Sequence, residues 1–92
     1  MTTPVESCDI ATLKPYPGNA RTHSKKQLRQ IAESIKRFGF TNPVLISDAG
    51  EIIAGHGRVE AARLCGMTSV PVLRLSHLNE TERRAYVLAD NK

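Results

Sequence analysis

The sequence predicts an α/β (α+β) domain, a small mixed β-sheet with helices packed on it, and three observations lead there. Two stretches, one opening at Ser24 and one at Asn79, combine helix-start residues with apolar positions at helical spacing. Three short runs, Val44-Leu45-Ile46, Ile52-Ile53-Ala54 and Val70-Pro71-Val72-Leu73-Arg74-Leu75, are rich in β-branched residues and separated by turn formers. The length, 92 residues with 40% hydrophobic content, suits one domain (1–92) with a single modest core.

In chain order, Met1 to Thr3 reads as a loose start, and Val5-Glu6-Ser7-Cys8 alternates apolar and polar residues as a half-buried strand does. Lys14-Pro15-Tyr16-Pro17-Gly18-Asn19-Ala20-Arg21 holds two prolines and a glycine within four residues, which predicts a constrained loop without regular structure. Ending in Arg21 and His23, that loop is either a recognition element or a connector. Ser24 and Gln27 form a capping box, and Gly39 supplies a left-handed stop after Phe38. Leu28, Ile31, Ala32, Ile35 and Phe38 should face inward, with Lys25, Arg29, Glu33, Lys36 and Arg37 outward.

Gly39-Phe40-Thr41-Asn42-Pro43 is a compact turn before the buried strand Val44–Ile46, and Ser47–Glu51 turns the chain into Ile52–Ala54, an antiparallel hairpin. A second helix follows, roughly Arg58 to Cys65, stopped by Gly66. Pro71 places the next strand at a sheet edge or puts the proline among its first residues. The last helix takes Asn79 as N-cap and Glu82 as its box partner, and carries Ala85, Tyr86, Leu88 and Ala89 toward a core. No glycine or proline closes it at Asp90-Asn91-Lys92, so the chain is expected to be the N-terminal fragment of a longer protein.

The net charge of +4 is uneven: from Arg21 to Arg37, six cations stand against Glu33 alone, a local balance of +5. Lys25, Lys26, Arg29, Lys36 and Arg37 are therefore candidate DNA contacts, or else a solvated helix face. No apolar run is long enough to span a bilayer and no secretory leader is visible, so a cytoplasmic setting without a membrane partner is expected. Cys8 and Cys65 lack a CxxC pattern, and two buried, reduced thiols are expected.

The chemistry concentrates in Ile52-Ile53-Ala54-Gly55-His56-Gly57-Arg58, where a strand turns through two glycines into a helix. Such a turn aims backbone N–H groups at one point and lets a ligand approach the main chain, and Arg58 adds a cation with bidentate geometry. A phosphate is the natural guest; the alternative is a tight connection with no ligand. The Gly-Lys-Ser/Thr ending of a Walker A loop and the third glycine of a dinucleotide fingerprint are both absent. His56 is the candidate for proton transfer. His23 and His77 have no metal-ligand spacing to it, so neither zinc nor haem is expected. Asp90-Asn91 offers hard oxygen ligands for magnesium beside a triphosphate, or is simply a polar pair near a helix end. Asp9, Asp48, Glu51 and Glu60 are scattered, with no spacing that pairs two acids for hydrolysis.

Taken together, Pro17-Gly18-Asn19-Ala20-Arg21, Gly39-Phe40-Thr41-Asn42-Pro43-Val44, Ile53 to Ala62 and Asp90-Asn91 resemble the N-terminal domain of chromosome-partitioning ParB proteins, in the ParB/sulfiredoxin superfamily often labelled ParB-like nuclease. The resemblance runs through nearly the whole chain and implies a ParB/sulfiredoxin-like fold. It implies that Gly55, His56, Gly57, Arg58 and Ala61 match a turn, typically Gly-Glu-Arg-Arg-x-Arg-Ala, that grips the phosphates of a cytidine nucleotide, with Arg21 nearby. Phe40-Thr41-Asn42 then matches the base-contacting segment, and Asp90-Asn91 a Glu-Asn pair that helps hold magnesium. His56-Gly57 replaces Glu-Arg and Glu60 replaces the last arginine, so fewer phosphate-binding cations are present.

In the Gly-Cys-His-Arg turn of sulfiredoxin the cysteine is the reactive group; His56 stands there, so that redox chemistry is expected to be absent, and Cys65 lies at the far end of the helix. Lys14 to Ser24, Gly55-His56-Gly57-Arg58 and Ala89-Asp90-Asn91-Lys92 are also similar to ParB-like domains attached to phage and bacterial DNA methyltransferases. The expectation is a DNA-associated domain binding CTP or ATP with Mg2+, as an NTPase or without turnover, in a partitioning, regulatory or methyltransferase protein. A C-terminal methyltransferase or helix-turn-helix domain and a homodimer would accompany it. A metal-dependent DNA nuclease and a non-catalytic interaction module are the alternatives.

Overall fold

In the computed structural model, which describes residues 5–17 and 23–90, the chain runs β1 (Val5–Asp9), a 3-10 turn (Ile10–Thr12), β2 (Lys14–Pro15), α1 (Lys25–Phe38), β3 (Val44–Ile46), β4 (Glu51–Ala54), α2 (His56–Leu64), β5 (Ser69–Arg74) and α3 (Glu80–Asp90). The strands form one mixed sheet in the order β1-β5-β3-β4-β2. Antiparallel pairs join β1 to β5 and β3 to β4, while β3–β5 and β2–β4 are parallel. The predicted hairpin is therefore the centre of the sheet.

Adjacent residues of a strand point to opposite faces, and in β4 both faces are apolar. Ile52 joins Val44, Ile46, Val59, Ala62, Val70 and Val72 in the larger core, shared with α2. Ile53 joins Tyr16, Leu75 and Val87 in a smaller core on the α3 side. A continuous apolar run at this position reflects a strand covered on both faces.

Both helix caps form as the sequence predicts. Gln27 N–H donates to Ser24 Oγ at 3.1 Å and Ser24 N–H to Gln27 Oε1 at 3.0 Å. Glu82 N–H donates to Asn79 Oδ1 at 2.8 Å and Asn79 N–H to Glu82 Oε1 at 2.9 Å. Gly39 ends α1 with φ of 78°, a conformation that favours glycine.

Several expectations are corrected by tertiary context. Lys14 and Pro15, expected in an irregular loop, form a short strand beside Glu51 and Ile52 at the sheet edge, where a proline's missing N–H is tolerated. Of the two readings of Pro71, the edge strand is set aside and the early position holds: β5 lies between β1 and β3, Pro71 is among its first three residues, and the ladder with β3 begins only at Val72. α2 starts two residues earlier than expected, at His56, because Gly55 is its N-cap. Phe38 sits past the α1–α2 contact and is 66% exposed, with the Arg37 guanidinium 5.3 Å from its ring centroid. On α3 the inward residue is Val87, whereas Ala85, Tyr86, Leu88 and Ala89 are exposed. The thiols of Cys8 and Cys65 are free but half-buried. Among the described residues no helix is long and apolar enough to cross a membrane.

The α3 assignment separates two neighbouring substitutions. Val87→Ala should lower the unfolding free energy by about 2 kcal/mol, through lost burial and a cavity in the small core. Leu88→Ala should stay within about 0.5 kcal/mol of wild type. Urea melts of both variants check the difference.

Candidate functional site

The strand-to-helix turn is built around two glycines with different duties. Gly55 has φ of 101°, and a Cβ there would stand 2.9 Å from Arg58 Nη2 and 3.3 Å from its Cζ. The guanidinium thus folds back over bare backbone. From that position Arg58 Nη2 donates to the carbonyl of Pro43 at 3.1 Å, tying the start of α2 to the turn before β3.

Gly57 has ordinary helical φ, and its role is close approach. A Cβ there would lie 2.8 Å from His23 Nε2 and 3.1 Å from Ile31 Cδ1. Its absence lets the first turn of α2 pack against the N-terminal half of α1, with the His23 imidazole over the glycine. Gly57 also stands where the resembling turn carries arginine, so the ring takes space that a long side chain would enter.

A cleft of about 460 Å³ opens between these elements, within the range of small-molecule sites. One wall is α1 and the residue before its cap, through His23, Gln27, Gln30, Ile31 and Ser34. Arg58 supplies the opposite wall, and Thr41 and Asn42 lie between. Arg58 is the one residue of full positive charge in this described lining; the amides and hydroxyls around it both donate and accept. Such a lining can neutralise an anion at one end and read polar edges along the other.

Of the residues the sequence singles out, the structure brings Arg58, Thr41 and Asn42 to the cleft, while Gly55 and Gly57 are buried beneath Arg58 and His23 and stand outside its described lining. Phe40 packs against the larger core instead of lining the cleft. Ala61 is wholly buried within α2. His56, half-buried in the first turn of α2, lies outside this described lining, which holds His23 in its place. Arg21, Asn91 and the Asp90 side chain lie outside the described residues, and the magnesium expectation with them. Lys25, Lys26, Arg29, Lys36 and Arg37 are all exposed on α1, apart from the cleft.

Sequence reasoning missed Gln27, Gln30 and Ser34. They recur at spacings of three and four, a polar uncharged stripe beside the apolar one; the signal was present but silent about what it faced. Cys65 caps the far end of α2 and donates its Sγ–H to the Ala32 carbonyl at 3.7 Å. It is therefore remote from the turn. Glu60 accepts from Arg63 Nη1 at 2.9 Å in an exposed pair.

The ParB N-terminal domain family matches residues 1–92. The ParB-like nuclease domain-containing protein YnaK of Escherichia coli (strain K12) is 60% identical over 75 residues, 82% of this chain and 86% of YnaK. Stage 0 sporulation protein J of Bacillus subtilis (strain 168) is 32% identical over 91 residues, 95% of this chain but only 32% of that protein. The structure of C-terminally truncated chromosome-partitioning protein ParB from Caulobacter crescentus, complexed with CTP-gamma-S, superposes with a TM-score of 0.80 at 26% identity, over 96% of this chain and 52% of that one. Sulfiredoxin from Arabidopsis thaliana gives a TM-score of 0.74 at 14% identity, over 91% of this chain and 97% of that one, a likeness of fold alone. The chain thus spans most of YnaK but about a third of the sporulation protein.

The two glycines should respond differently to alanine. Gly55→Ala forces a positive φ on a residue with Cβ and displaces Arg58, and should cost about 2 kcal/mol or more. Gly57→Ala gains helix propensity of up to about 1 kcal/mol, which offsets the displacement of two side-chain ends, the His23 ring and the Ile31 Cδ1 methyl, so its net effect should stay within about 1 kcal/mol. Denaturant melts of the pair test this.

Proposed function

The chain belongs to the ParB N-terminal domain family, and from that premise we propose that it is a DNA-associated module that binds a nucleoside triphosphate, CTP before ATP, by its phosphates in the cleft between α1 and the start of α2. The observation that carries this reading is the placement of Arg58. Its guanidinium is held by the Pro43 carbonyl and stands in one cleft with Thr41 and Asn42, two of the three residues, Phe40-Thr41-Asn42, that the family resemblance assigns to the base.

The residues present fit such a ligand. Gly57 is covered by two side-chain ends, the His23 imidazole and the Ile31 Cδ1 methyl, and polar side chains that both donate and accept line much of the cleft. Arg58 would neutralise phosphate charge, while Gln27, Gln30, Ser34, Thr41 and Asn42 orient the sugar and base by hydrogen bonds. Asp90 and Asn91 would supply oxygen donors to a magnesium ion that neutralises further phosphate charge. With glycine at 57 and Glu60 engaged by Arg63, affinity should be lower than in a turn that keeps all its arginines. The exposed cations of α1 are suited to a phosphate backbone, a contact that weakens as salt rises. The parent protein would be a partitioning, regulatory or DNA-methyltransferase protein.

The designation of YnaK as a ParB-like nuclease domain-containing protein supports a second reading, a metal-dependent nuclease. Among the described residues no group of three or more His, Cys, Asp or Glu is gathered to hold a metal, so this reading depends on Asp90 and Asn91 for its ligands.

Calorimetry with CTP and ATP, each with magnesium, should show binding that Arg58→Ala weakens by about tenfold or more. Duplex DNA retention should fall as salt rises. No heat with either nucleotide would sink the nucleotide reading, and salt-independent DNA retention the DNA reading. Plasmid nicking lost both on chelation and in Arg58→Ala would instead favour the nuclease.

A further inference from the structure

We propose that His23 is the second anion contact of the cleft, facing the same bound polyphosphate as Arg58 and making its affinity depend on pH; the inference rests on the nucleotide-binding reading above. His23 immediately precedes Ser24, whose reciprocal capping bonds with Gln27 fix the chain at that point. Its ring stands over the backbone of Gly57, with Nε2 2.8 Å from where a Cβ would be, and it lines the cleft that Arg58 enters from α2. The imidazole is half-buried, so it is sheltered from bulk solvent yet open to the cleft.

Charge gives this placement its consequence. Within the described lining, Arg58 and His23 are the two side chains able to carry positive charge. α1 contributes only neutral groups to that lining beyond His23, and the turn before β3 contributes neutral Thr41 and Asn42. α2 contributes Arg58, with His56 beside Gly57 in the same first turn. An anionic ligand is the natural counter-charge of an imidazolium formed here. Protonated imidazole donates from both nitrogens, whereas the neutral ring donates from one. The contact is therefore stronger with the ring protonated, and the direction of the pH dependence is toward tighter binding in acid.

The experiment measures affinity for CTP and for inorganic tripolyphosphate between pH 5.5 and 8, in wild type and in His23→Gln, which keeps a polar group near the ε position but never ionises. Comparing the two proteins at each pH cancels the ligand's own titration. Relative to His23→Gln, wild type should gain about tenfold in affinity at the acidic end and little at the alkaline end. In the wild-type protein, the long-range nitrogen–proton NMR signals of the His23 ring should move on adding either ligand; this readout needs no variant to fold. Identical pH profiles for the two proteins, or ring signals that do not move while ligand binds, would overturn the proposal. Tripolyphosphate binding with the His23 dependence but no CTP binding would keep the His23 contact and overturn the nucleotide reading. Silence from both ligands would overturn both.

Discussion

The hydrogen bond from Arg58 to the Pro43 carbonyl closes the open end of the central hairpin. Pro43 immediately precedes β3 and Gly55 immediately follows β4, so the guanidinium spans the point where the two strands would otherwise diverge. A bond of this kind, charged donor to carbonyl, is worth roughly 1.5–3 kcal/mol. It holds Thr41 and Asn42 next to the helix start. The cleft exists because two turns, distant in sequence, are held side by side.

Much of the fold was legible because its signals are local. Ser24 with Gln27 and Asn79 with Glu82 are complete within four residues, and both caps form. The hairpin at Val44–Ala54 is similarly short in range. What escaped depends on packing between distant segments. Tyr86 and Leu88 are apolar enough to be read as core, yet it is Val87 that joins Ile53 and Leu75 in the small core, a choice made by how α3 packs on β4 and not by its sequence alone. Pro71 left an edge strand and an early position in the strand both open, because nothing local reveals that β1 covers its other side. Phe38 continues the apolar stripe of α1 beyond the length that α2 can cover.

The site divides in the same way. The glycines and Arg58 announce themselves through turn chemistry, as does the segment 41–42 through its resemblance. The opposing wall does not. Gln27, Gln30 and Ser34 acquire meaning only once α1 crosses α2 at Gly57, and His23 only once its ring is seen resting on that glycine. The shared fold with sulfiredoxin at 14% identity makes the complementary point: the scaffold presents a strand-to-helix turn, and the residues placed on it decide the chemistry.

The folding of Arg58 over Gly55 limits which residues this turn can accept. With the guanidinium 2.9 Å from the missing Cβ, any larger residue at 55 evicts the arginine, and without the arginine nothing at 55 gains from staying small except its backbone angle. Gly55 is thus constrained twice, by its backbone angle and by the guanidinium lying over it, and a side chain there would loosen the clasp on Pro43 as well as strain the turn.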